Sequence, residues 1–217
     1  MKSFISIAID GGAGSGKSTT AHNISSKFNF LNVDTGSHYR SITAYLIKHN
    51  ISEIVASKPE NLNKITLSSK IINNKSLIQI NGSSFSHSEL RSKEINLNVS
   101  KYSSIAAIRS ILFDYQKSQC ELARQNNFTG IVMEGRDIGT IILPDADLKL
   151  FLFAKEHVRN QRRKEDGESD LIQKRDLLDS TRTIAPLSET KDSIKIDTSK
   201  LSPSEVVTQI SQLIESL

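Results

Sequence analysis

The chain has 217 residues, of which 37% are hydrophobic and 24% are charged, and its formal net charge is +4. This composition excludes wholesale disorder and predicts a globular core. The single cysteine, Cys120, excludes a disulfide within the chain, and no apolar run reaches the roughly 18 residues that a membrane span needs. We therefore expect a soluble cytoplasmic protein without a membrane partner.

The first part of the chain alternates strand-like and helix-like patterns. Residues 3–9 form an apolar run typical of a buried parallel strand, and a helix is predicted from about residue 17 to residue 28. A second strand over residues 30–33 precedes a helix over about residues 38–48. Residues 65–99 differ, since Asn73-Asn74 and Asn81-Gly82 separate β-type runs. This segment predicts a small antiparallel lobe that is inserted outside the main sheet.

The second part of the chain returns to the main fold. It predicts a long helix from about residue 103 to residue 126, strands over residues 131–133, 148–153 and 193–197, and a charged helical segment over residues 155–182. The last helix has a clear start at Ser202-Pro203-Ser204-Glu205, which combines a capping box with a proline at the first helical position. Strands that alternate with helices predict an α/β fold with a mostly parallel sheet.

A phosphate-binding motif joins the first strand to the first helix and fits the pattern G-x-x-x-x-G-K-[ST] at every fixed position. Glycines let backbone N–H groups converge on phosphate oxygens, and the helix N-terminus adds its dipole. Lys17 is expected to reach the β- and γ-phosphates of a nucleotide, and the Ser18 hydroxyl to ligate Mg²⁺. The residues expected to hold the triphosphate are Gly11, Gly12, Ala13, Gly14, Ser15, Gly16, Lys17, Ser18 and Thr19.

The loop alone leaves several classes of NTPase to be considered. GTPases read their base with N-K-x-D, and neither Asn63-Lys64 nor Asn74-Lys75 is followed by the aspartate. The L-S-G-G-Q motif of transporter ATPases is absent from the sequence. In the third core strand, Glu134 is either a support for Mg²⁺ through water or a structural strand-end carboxylate. Asp10, just before the loop, orients the loop or the metal-bound waters, or it is purely structural.

Arginines stand in short motifs that follow the predicted strands or lie in the charged segment. They are found in D-T-G-x-x-Y-R over residues 34–40, E-G-R-D-I-G-T over residues 134–140, and R-D-x-x-D-x-x-R over residues 175–182. In open α/β sheets, ligands gather at the carboxyl ends of the strands. The planar fork of arginine binds phosphate in a bidentate way. A small kinase must neutralise the negative charge of phosphoryl transfer, and these arginines suit that task.

The phosphate-binding loop and the three arginine motifs resemble those of bacterial cytidylate kinases and occur in the same order. The resemblance also includes P-D-A over residues 144–146, which follows the second motif, and A-P-L over residues 185–187, which follows the third. The resemblance spans nearly the whole chain. It implies a P-loop three-layer α/β fold with a parallel central sheet, an inserted antiparallel lobe that binds the nucleoside monophosphate, and a helical lid. It also implies Mg²⁺-dependent transfer of phosphate from ATP directly to CMP, and to dCMP. We expect a monomer that binds these nucleotides and no nucleic acid.

The resemblance also implies how one kinase domain over residues 1–217 is divided. The core comprises about residues 1–34, 103–154 and 183–217, the monophosphate-binding region about residues 35–102, and the lid about residues 155–182. Two positions depart from the family pattern, since His38 replaces a usual apolar residue and Gly12 a common proline.

Individual roles follow from the same resemblance. Arg40 and Arg136 match positions that hold the acceptor phosphate. The positions around the cytosine are matched by Thr35, Arg109, Asp137 and Arg182, and those near the sugar by Ser100, Arg175 and Asp179. The lid arginines that close over ATP are matched by Arg159, Arg162 and Arg163, of which Arg162 is expected to touch the donor phosphates. The expected catalytic residues are Lys17, Arg136, Arg175 and Arg182.

Two other functions stay open. Another small-molecule P-loop kinase, acting on UMP, dTMP or shikimate, would share the loop and differ in its acceptor. A nucleic-acid-binding P-loop protein would use the basic surface, and it predicts steeply salt-dependent binding to RNA or DNA. The sequence contains no recognisable nucleic-acid-binding motif, which speaks against this second alternative. The acceptor that the protein phosphorylates would distinguish among the kinases.

Overall fold

The computed structural model describes residues 4–165, 167 and 172–217, and the side chains of residues 173–175 lie outside that description. The strands are β1 (Ile5–Gly11), β2 (Phe30–Asp34), β3 (Leu67–Ile72), β4 (Lys75–Ile80), β5 (Gly130–Gly135), β6 (Leu148–Phe153) and β7 (Ile194–Asp197). Within the described residues they form one sheet in the order β3-β4-β2-β5-β1-β6-β7. Neighbouring strands are parallel, except β3 and β4, which are antiparallel. The predicted α/β fold with a mostly parallel sheet is confirmed.

The helices are α1 (Lys17–Phe28), α2 (Thr35–Lys48), α3 (Glu53–Ala56), α4 (His87–Leu90), α5 (Lys93–Ser103), α6 (Ala106–Gln125), α7 (Glu156–Glu165), α8 (Ile172–Thr181) and α9 (Pro203–Glu215). Short helical turns of the 3-10 and π types cover Pro59–Leu62 and Ile138–Ile142. At the start of α9, Ser202 and Glu205 bond reciprocally to each other's backbone N–H, as the predicted capping box requires. Among the described helices, none combines the length and apolar character that crossing a membrane requires.

The sheet is covered on both faces because successive residues of a strand point to opposite sides. On one face, Ile7 and Ile9 of β1 pack in a buried cluster with side chains of α1 and α9. On the other face, Ala8 of the same strand packs with Met133 of β5 and Ala123 of α6. These two apolar layers hold β1 in the middle of the molecule, so the loop that follows it starts from a rigid support.

The antiparallel hairpin of β3 and β4 is predicted correctly, but its predicted separation from the main sheet is wrong. β4 runs parallel to β2 and pairs with Asn32 and Val33 of that strand. The Asn32 N–H donates to the carbonyl oxygen of Asn74 at 2.7 Å. Asn73 and Asn74 have φ angles of 48° and 61°, which is typical of a tight two-residue hairpin turn. The hairpin extends the sheet because the edge of β2 otherwise presents unpaired backbone groups.

The predicted long helix over about residues 103–126 is confirmed as α6 (Ala106–Gln125), and a separate helix, α5, precedes it and ends at Ser103. The backbone of Ile105 is extended, with φ −75° and ψ 120°, and this conformation interrupts the helical hydrogen bonds. The Ser104 hydroxyl donates to the carbonyl oxygen of Lys101 at 2.7 Å, a local bond that competes with helix continuation. Ser100 consequently lies in the last turn of α5, and Arg109 lies in the first turn of α6.

His38 of α2 is a buried residue whose polarity is not compensated by its surroundings. It is 0% exposed and packs edge-on against the Tyr115 ring, and neither ring nitrogen has a hydrogen-bond partner among the described residues. Burial lowers the pKa of His38 to about 4, and Lys75 adds to this effect while Asp34 opposes it. An uncharged ring with two unsatisfied nitrogens is costly to bury.

We expect His38→Leu to stabilise the protein more at pH 5 than at pH 7.5. Between pH 6.5, the ordinary pKa of histidine, and pH 4, the approximate pKa of His38 in the folded state, His38 is protonated more fully in the unfolded state than in the folded state. The stability of the wild type therefore falls as the pH decreases through this range. At pH 5 this linkage adds about 2 kcal/mol to the advantage of the variant. Urea unfolding of both proteins at the two pH values measures the free energies of unfolding. If the variant exceeds the wild type in free energy of unfolding by the same amount at pH 5 and at pH 7.5, the lowered pKa of His38 is contradicted.

Candidate functional site

The phosphate-binding loop runs from the end of β1 to the start of α1. Gly16, which precedes α1, has a φ of 92°, a left-handed conformation that glycine adopts without strain. The Lys17 side chain folds back over the loop, and its Nζ donates to the carbonyl oxygen of Gly12 at 2.8 Å. Lys17 is only 7% exposed. The loop therefore holds a buried cation beside the N-terminus of a helix, which is an anion-binding arrangement.

A network of charged side chains lies at the carboxyl end of β5. Asp137 pairs with Arg109, and its Oδ1 lies 3.5 Å from Nη2 of Arg182. Arg136 donates from Nε to Oδ2 of Asp179 at 2.9 Å, and the other oxygen of Asp179 lies 3.9 Å from Arg182. Burial lowers the pKa of Arg182, and the Asp137 carboxylate opposes this shift. The network brings together five of the predicted site residues and fixes their side chains through mutual charge pairing.

Two residues support Asp137 from the protein interior. Arg109 donates from Nη1 to the carbonyl oxygen of Ser103 at 3.2 Å, and its guanidinium carbon lies 5.3 Å from the centre of the Tyr39 ring. The Asp10 carboxylate accepts the N–H groups of Ile138 and Gly139, the residues just after Asp137, at 2.8 and 2.7 Å. Burial raises the pKa of Asp10 to about 6. Asp10 therefore anchors the segment that carries Asp137. Of the roles that the sequence left open for Asp10, this is the structural one.

Two hydroxyl groups bind Glu134 at the end of β5. Thr35 donates from Oγ1 to the backbone carbonyl oxygen of Glu134, and Ser18 donates from Oγ to Oε2 of the same residue, both at 2.8 Å. Burial raises the pKa of Glu134 to about 7, and the nearby charge of Asp34 adds to the rise.

Asp34 also caps α2, because its Oδ1 accepts the Ser37 N–H at 3.0 Å. The helix α2 therefore begins at Thr35 and not near residue 38.

Arg40 of α2 holds the segment between α4 and α5. Its Nη1 donates to the carbonyl oxygen of Leu90 at 2.8 Å and to Oδ1 of Asn96 at 2.7 Å. Asn96 in turn donates from Nδ2 to the carbonyl oxygen of Arg91 at 2.9 Å. Arg40 is 3% exposed. The predicted phosphate ligand is thus fixed in place, and it fixes the turn at Arg91.

Two pockets adjoin the phosphate-binding loop. The inner pocket, a cavity of about 130 Å³, is lined by Ala13, Gly14, Lys17, Ser18, Asp34, Thr35, Gly36, Tyr39, Arg40, Arg91, Val99, Ser100, Ser103, Glu134, Gly135, Arg136, Asp137, Arg163, Asp179 and Arg182. The outer pocket, of about 630 Å³, is lined by Gly14, Ser15, Gly16, Lys17, Ser18, Thr19, Thr20, His87, Arg91, Arg162, Arg163, Glu165, Gly167, Thr198, Leu201, Pro203 and Val206. Most predicted acceptor ligands therefore line the inner pocket, and most predicted triphosphate ligands line the outer one.

Arg162 of α7 lies at the outer pocket. It donates from Nη2 to the carbonyl oxygen of Thr198 at 2.7 Å and from Nη1 to that of Gly14 at 3.3 Å. The Thr198 hydroxyl donates to the carbonyl oxygen of Ser15 at 3.0 Å. These bonds tie α7 and the end of β7 to the phosphate-binding loop, and the contact of Arg162 with donor phosphates stays a prediction.

Arg159 and Asp176 form a second tie between the α7–α8 segment and the loop. Asp176 pairs with Arg159 and accepts the Ala13 N–H on Oδ1 at 3.1 Å. Arg159 donates from Nη1 to the Ala13 carbonyl oxygen at 3.0 Å. A Cβ at Gly12 would lie 2.8 Å from Arg159 Nη1. Glycine in place of the common proline therefore leaves room for this close approach.

Some predicted site residues are not brought to the pocket walls. Among the described residues, Arg109 contacts Asp137 and lines neither pocket, and Gly11 and Gly12 shape the loop from outside both. Arg175 belongs to α8, but its side chain lies outside the described residues. Arg91 lines both pockets although no motif marks it. The one sequence signal for Arg91 is that an arginine stands between two short helical patterns in the insert.

Known proteins of one family resemble the chain over nearly its whole length. A family model described as "Cytidylate kinase" matches residues 7–216. A protein named "Cytidylate kinase" from Clostridium tetani is 40% identical over 97% of this chain and 93% of its own length. A protein of the same name from Clostridium botulinum strain Loch Maree is 40% identical over 97% of this chain and 98% of its own length. The chain covers nearly all of both relatives.

The solved structure of an uncharacterised protein from Eubacterium ventriosum superimposes on this chain with a TM-score of 0.51 and 13% sequence identity. The match covers 98% of this chain and 99% of the other chain, and it shows a shared fold alone. The family match over most of the chain and the identity to two cytidylate kinases establish more than the fold. Together with the phosphate-binding loop and its buried lysine, they show that this chain belongs to the cytidylate kinase family of phosphotransferases, which phosphorylate nucleoside monophosphates.

Proposed function

We propose that this chain transfers the γ-phosphoryl group of ATP directly to CMP, and to dCMP, with Mg²⁺. One observation carries the proposal: the inner and outer pockets meet at the phosphate-binding loop, where Lys17 lines both. An acceptor in the inner pocket and a donor in the outer pocket would face each other across Lys17. Catalysis of phosphoryl transfer consists mainly of such positioning together with electrostatic stabilisation.

The charge of the inner pocket suits a nucleoside monophosphate. Six cationic and four acidic side chains stand among the described residues that line it. Arg136 is held by Asp179, and Arg40 is held by Leu90 and Asn96. Guanidinium groups that are fixed in advance bind a phosphate at a smaller entropic cost than mobile ones. Arg40 and Arg136 are the proposed ligands of the acceptor phosphate.

Two polar side chains that line the inner pocket, Thr35 and Asp137, favour cytosine over uracil. The Thr35 hydroxyl donates its proton to the Glu134 carbonyl oxygen, so only its lone pairs face a substrate. The Asp137 carboxylate, held between Arg109 and Arg182, is likewise an acceptor. Cytosine presents an amino donor where uracil presents a carbonyl oxygen. Two acceptors opposite uracil would leave lone pairs facing lone pairs, and such a mismatch is strongly disfavoured in a buried site.

The outer pocket is the proposed site of Mg·ATP, with the triphosphate at residues 14–19. Ser18 Oγ and Glu134 Oε2, 2.8 Å apart, offer the hard oxygen ligands that Mg²⁺ prefers. Mg²⁺ usually binds through one or two protein oxygens, substrate phosphates and water, so this pair fits the ion. We propose that Ser18 ligates the metal and that Glu134 supports it through water. A bound metal ion would neutralise charge on the phosphates of the donor.

The reaction that this arrangement supports needs no covalent intermediate on the protein. A phosphate oxygen of CMP forms a bond to the γ-phosphorus, the bond from that phosphorus to the β,γ-bridging oxygen breaks, and ADP leaves with the electron pair. The acceptor phosphate is already ionised near neutral pH, so no general base is required. Residues of about 155–182 are the proposed lid, which would exclude water and limit hydrolysis of ATP.

A coupled assay of ADP release tests the proposal, with Mg·ATP and a panel of CMP, dCMP, UMP, dTMP, AMP, GMP and shikimate. We expect turnover with CMP and dCMP and at least about 100-fold lower kcat/KM with UMP. Turnover with a different acceptor refutes the assignment of CMP as the substrate, whereas the protein would still be a P-loop kinase. Omitting Mg²⁺ in the presence of EDTA should abolish turnover, and full activity without a divalent cation contradicts the proposed metal site.

A further inference from the structure

Asp137 stands at a position where an aspartate usually binds the backbone that follows it. It is the residue just before the π-helical turn Ile138–Ile142, and the first N–H groups of such a turn have no acceptor within the turn. An aspartate placed there commonly accepts the N–H of the second or third residue of the turn on its own carboxylate. Within the described part of the chain, the Asp137 carboxylate makes no such bond. It pairs instead with Arg109 and Arg182.

The acceptor for the π-helical turn is supplied by β1. The Asp10 carboxylate accepts the Ile138 N–H on Oδ1 at 2.8 Å and the Gly139 N–H on Oδ2 at 2.7 Å. Asp10 is 5% exposed, so these bonds are shielded from water. Asp10 and Ile138 are 128 positions apart, and the turn is thus capped by a distant carboxylate although an aspartate directly precedes it.

We propose that Asp10 is a positioning residue for base selectivity, which caps the π-helical turn in place of Asp137 and so leaves the Asp137 carboxylate free to accept from the cytosine amino group. The inference rests on the proposed function, in which Asp137 reads the base. It gives a role in substrate selection to a residue that is absent from the described linings of both pockets. Asp10 would act on the substrate through Asp137 alone.

Without the Asp10 carboxylate, two sets of partners would compete for Asp137. The Ile138 and Gly139 N–H groups would be buried without an acceptor, which is costly. Rotation of the Asp137 side chain toward the Gly139 N–H would satisfy one of them, in the arrangement that an aspartate before a helical turn commonly adopts. That rotation would withdraw the carboxylate from the guanidinium groups of Arg109 and Arg182 and from the inner pocket. By occupying both N–H groups, Asp10 removes the competition.

Steady-state kinetics of Asp10→Ala and Asp10→Asn with CMP and with UMP test the inference. Asp10→Ala removes both acceptor oxygens, whereas Asp10→Asn keeps one of them. We expect the ratio of kcat/KM for CMP over that for UMP to fall at least about tenfold in Asp10→Ala and at least about threefold in Asp10→Asn. The affinity for ATP, measured by calorimetry, should stay within about threefold. An unchanged ratio in Asp10→Asn refutes the inference whether or not Asp10→Ala folds.

Asp147→Ala is the matched control for a loss of stability. The Asp147 carboxylate accepts the N–H and the hydroxyl of Ser6, both at 2.8 Å, at the opposite end of β1, and Asp147 is absent from the described linings of both pockets. We expect thermal unfolding to show a lower Tm for Asp147→Ala as well as for Asp10→Ala. The ratio of CMP over UMP should fall in Asp10→Ala alone. An equal fall in both variants would show a general effect of a weakened fold and would refute the inference.

A double variant shows whether Asp10 acts through Asp137. Asp137→Asn by itself should lower the ratio of kcat/KM for CMP over that for UMP. If Asp10 only directs the Asp137 carboxylate, adding Asp10→Ala to Asp137→Asn should change this ratio by less than about twofold further. Independent contributions would multiply, and a double variant with the product of the two single effects contradicts the inference.

A crystal structure of Asp10→Ala, or of Asp10→Asn, gives a readout that needs no substrate. We expect the Asp137 carboxylate to accept the Gly139 N–H in Asp10→Ala, and a carboxylate that stays paired with Arg109 in both variants refutes the inference. If the wild type does not phosphorylate CMP, the proposed function is wrong, and a rotated Asp137 in the variant still shows that Asp10 holds it. If the wild type phosphorylates CMP and both variants keep its selectivity, the proposed function stands and the role of Asp10 is refuted.

Discussion

Replacing Lys17 with alanine is expected to lower kcat for phosphoryl transfer by about 1,000-fold or more. Among the described residues, Lys17 is the lysine that lines both pockets, and its Nζ lies over the loop, 2.8 Å from the Gly12 carbonyl oxygen. Its charge would stabilise the phosphoryl group as negative charge develops during transfer. Steady-state assays at saturating ATP and acceptor measure the loss.

The matched control for this variant is Lys27→Ala. Lys27 lies on the same helix, α1, but its side chain is 47% exposed and pairs with Glu215 of α9 at 4.0 Å. We expect this variant to keep wild-type turnover, because a charge at the far end of the helix is screened from the pockets. Thermal unfolding of both variants checks that the fold is kept. Near-normal turnover of Lys17→Ala would refute the role of the loop in transfer.

Replacing Asp137 is expected to weaken CMP much more than ATP. Asp137 is buried at the inner pocket and pairs with Arg109 and Arg182. Asp137→Ala removes the proposed acceptor for the cytosine amino group and leaves two buried guanidinium groups without the Asp137 carboxylate. We expect kcat/KM for CMP to fall by about 1,000-fold, and the affinity for ATP to stay within about 3-fold. Equal losses for both nucleotides would contradict a role at the base.

A second variant separates the loss of recognition from the loss of stability. Breaking a buried ion pair by removing one partner costs about 3–5 kcal/mol, so Asp137→Ala is also expected to unfold at a lower temperature. Asp137→Asn keeps the shape and offers an amide donor, so the ratio of kcat/KM for CMP over that for UMP should fall in this variant. Asp145→Asn is the matched control, because Asp145 is an exposed acid on the turn after the π-helical segment and lines neither pocket.

The parts of the fold that the sequence predicts are those with local causes. The start of α1 follows from the glycine-rich turn before it, and the start of α9 follows from the reciprocal bonding of Ser202 and Glu205. The attachment of β4 to β2 has no such cause, because it depends on which backbone groups are left unpaired at a sheet edge. The separation of α5 from α6 depends on the extended backbone of Ile105, just before the first residue of α6, and no short sequence pattern marks it.

The same distinction applies to the candidate site. Lys17 stands in a loop whose spacing predicts a phosphate ligand, and the resemblance to cytidylate kinases implies roles for Arg136 and Asp137. The structure places all three at the inner pocket. Arg91 reaches both pockets only because Arg40 and Asn96 hold its backbone, and these bonds join residues that are up to 56 positions apart in the chain. No pattern within a short window contains that information. The role of Asp10, which anchors the segment after Asp137, is hidden for the same reason.

The continuity of the sheet through β2 and β4 has a mechanical consequence for how an acceptor reaches its site. A hairpin that is hydrogen-bonded to a core strand is unable to swing as a separate flap without breaking that ladder. The helices α4 and α5 contribute no strand to the sheet, and α5 ends at Ser103, two residues before the extended Ile105. Any opening on the proposed monophosphate side would therefore have to move α4 and α5, because the β3–β4 hairpin is held in the sheet by its pairing with β2.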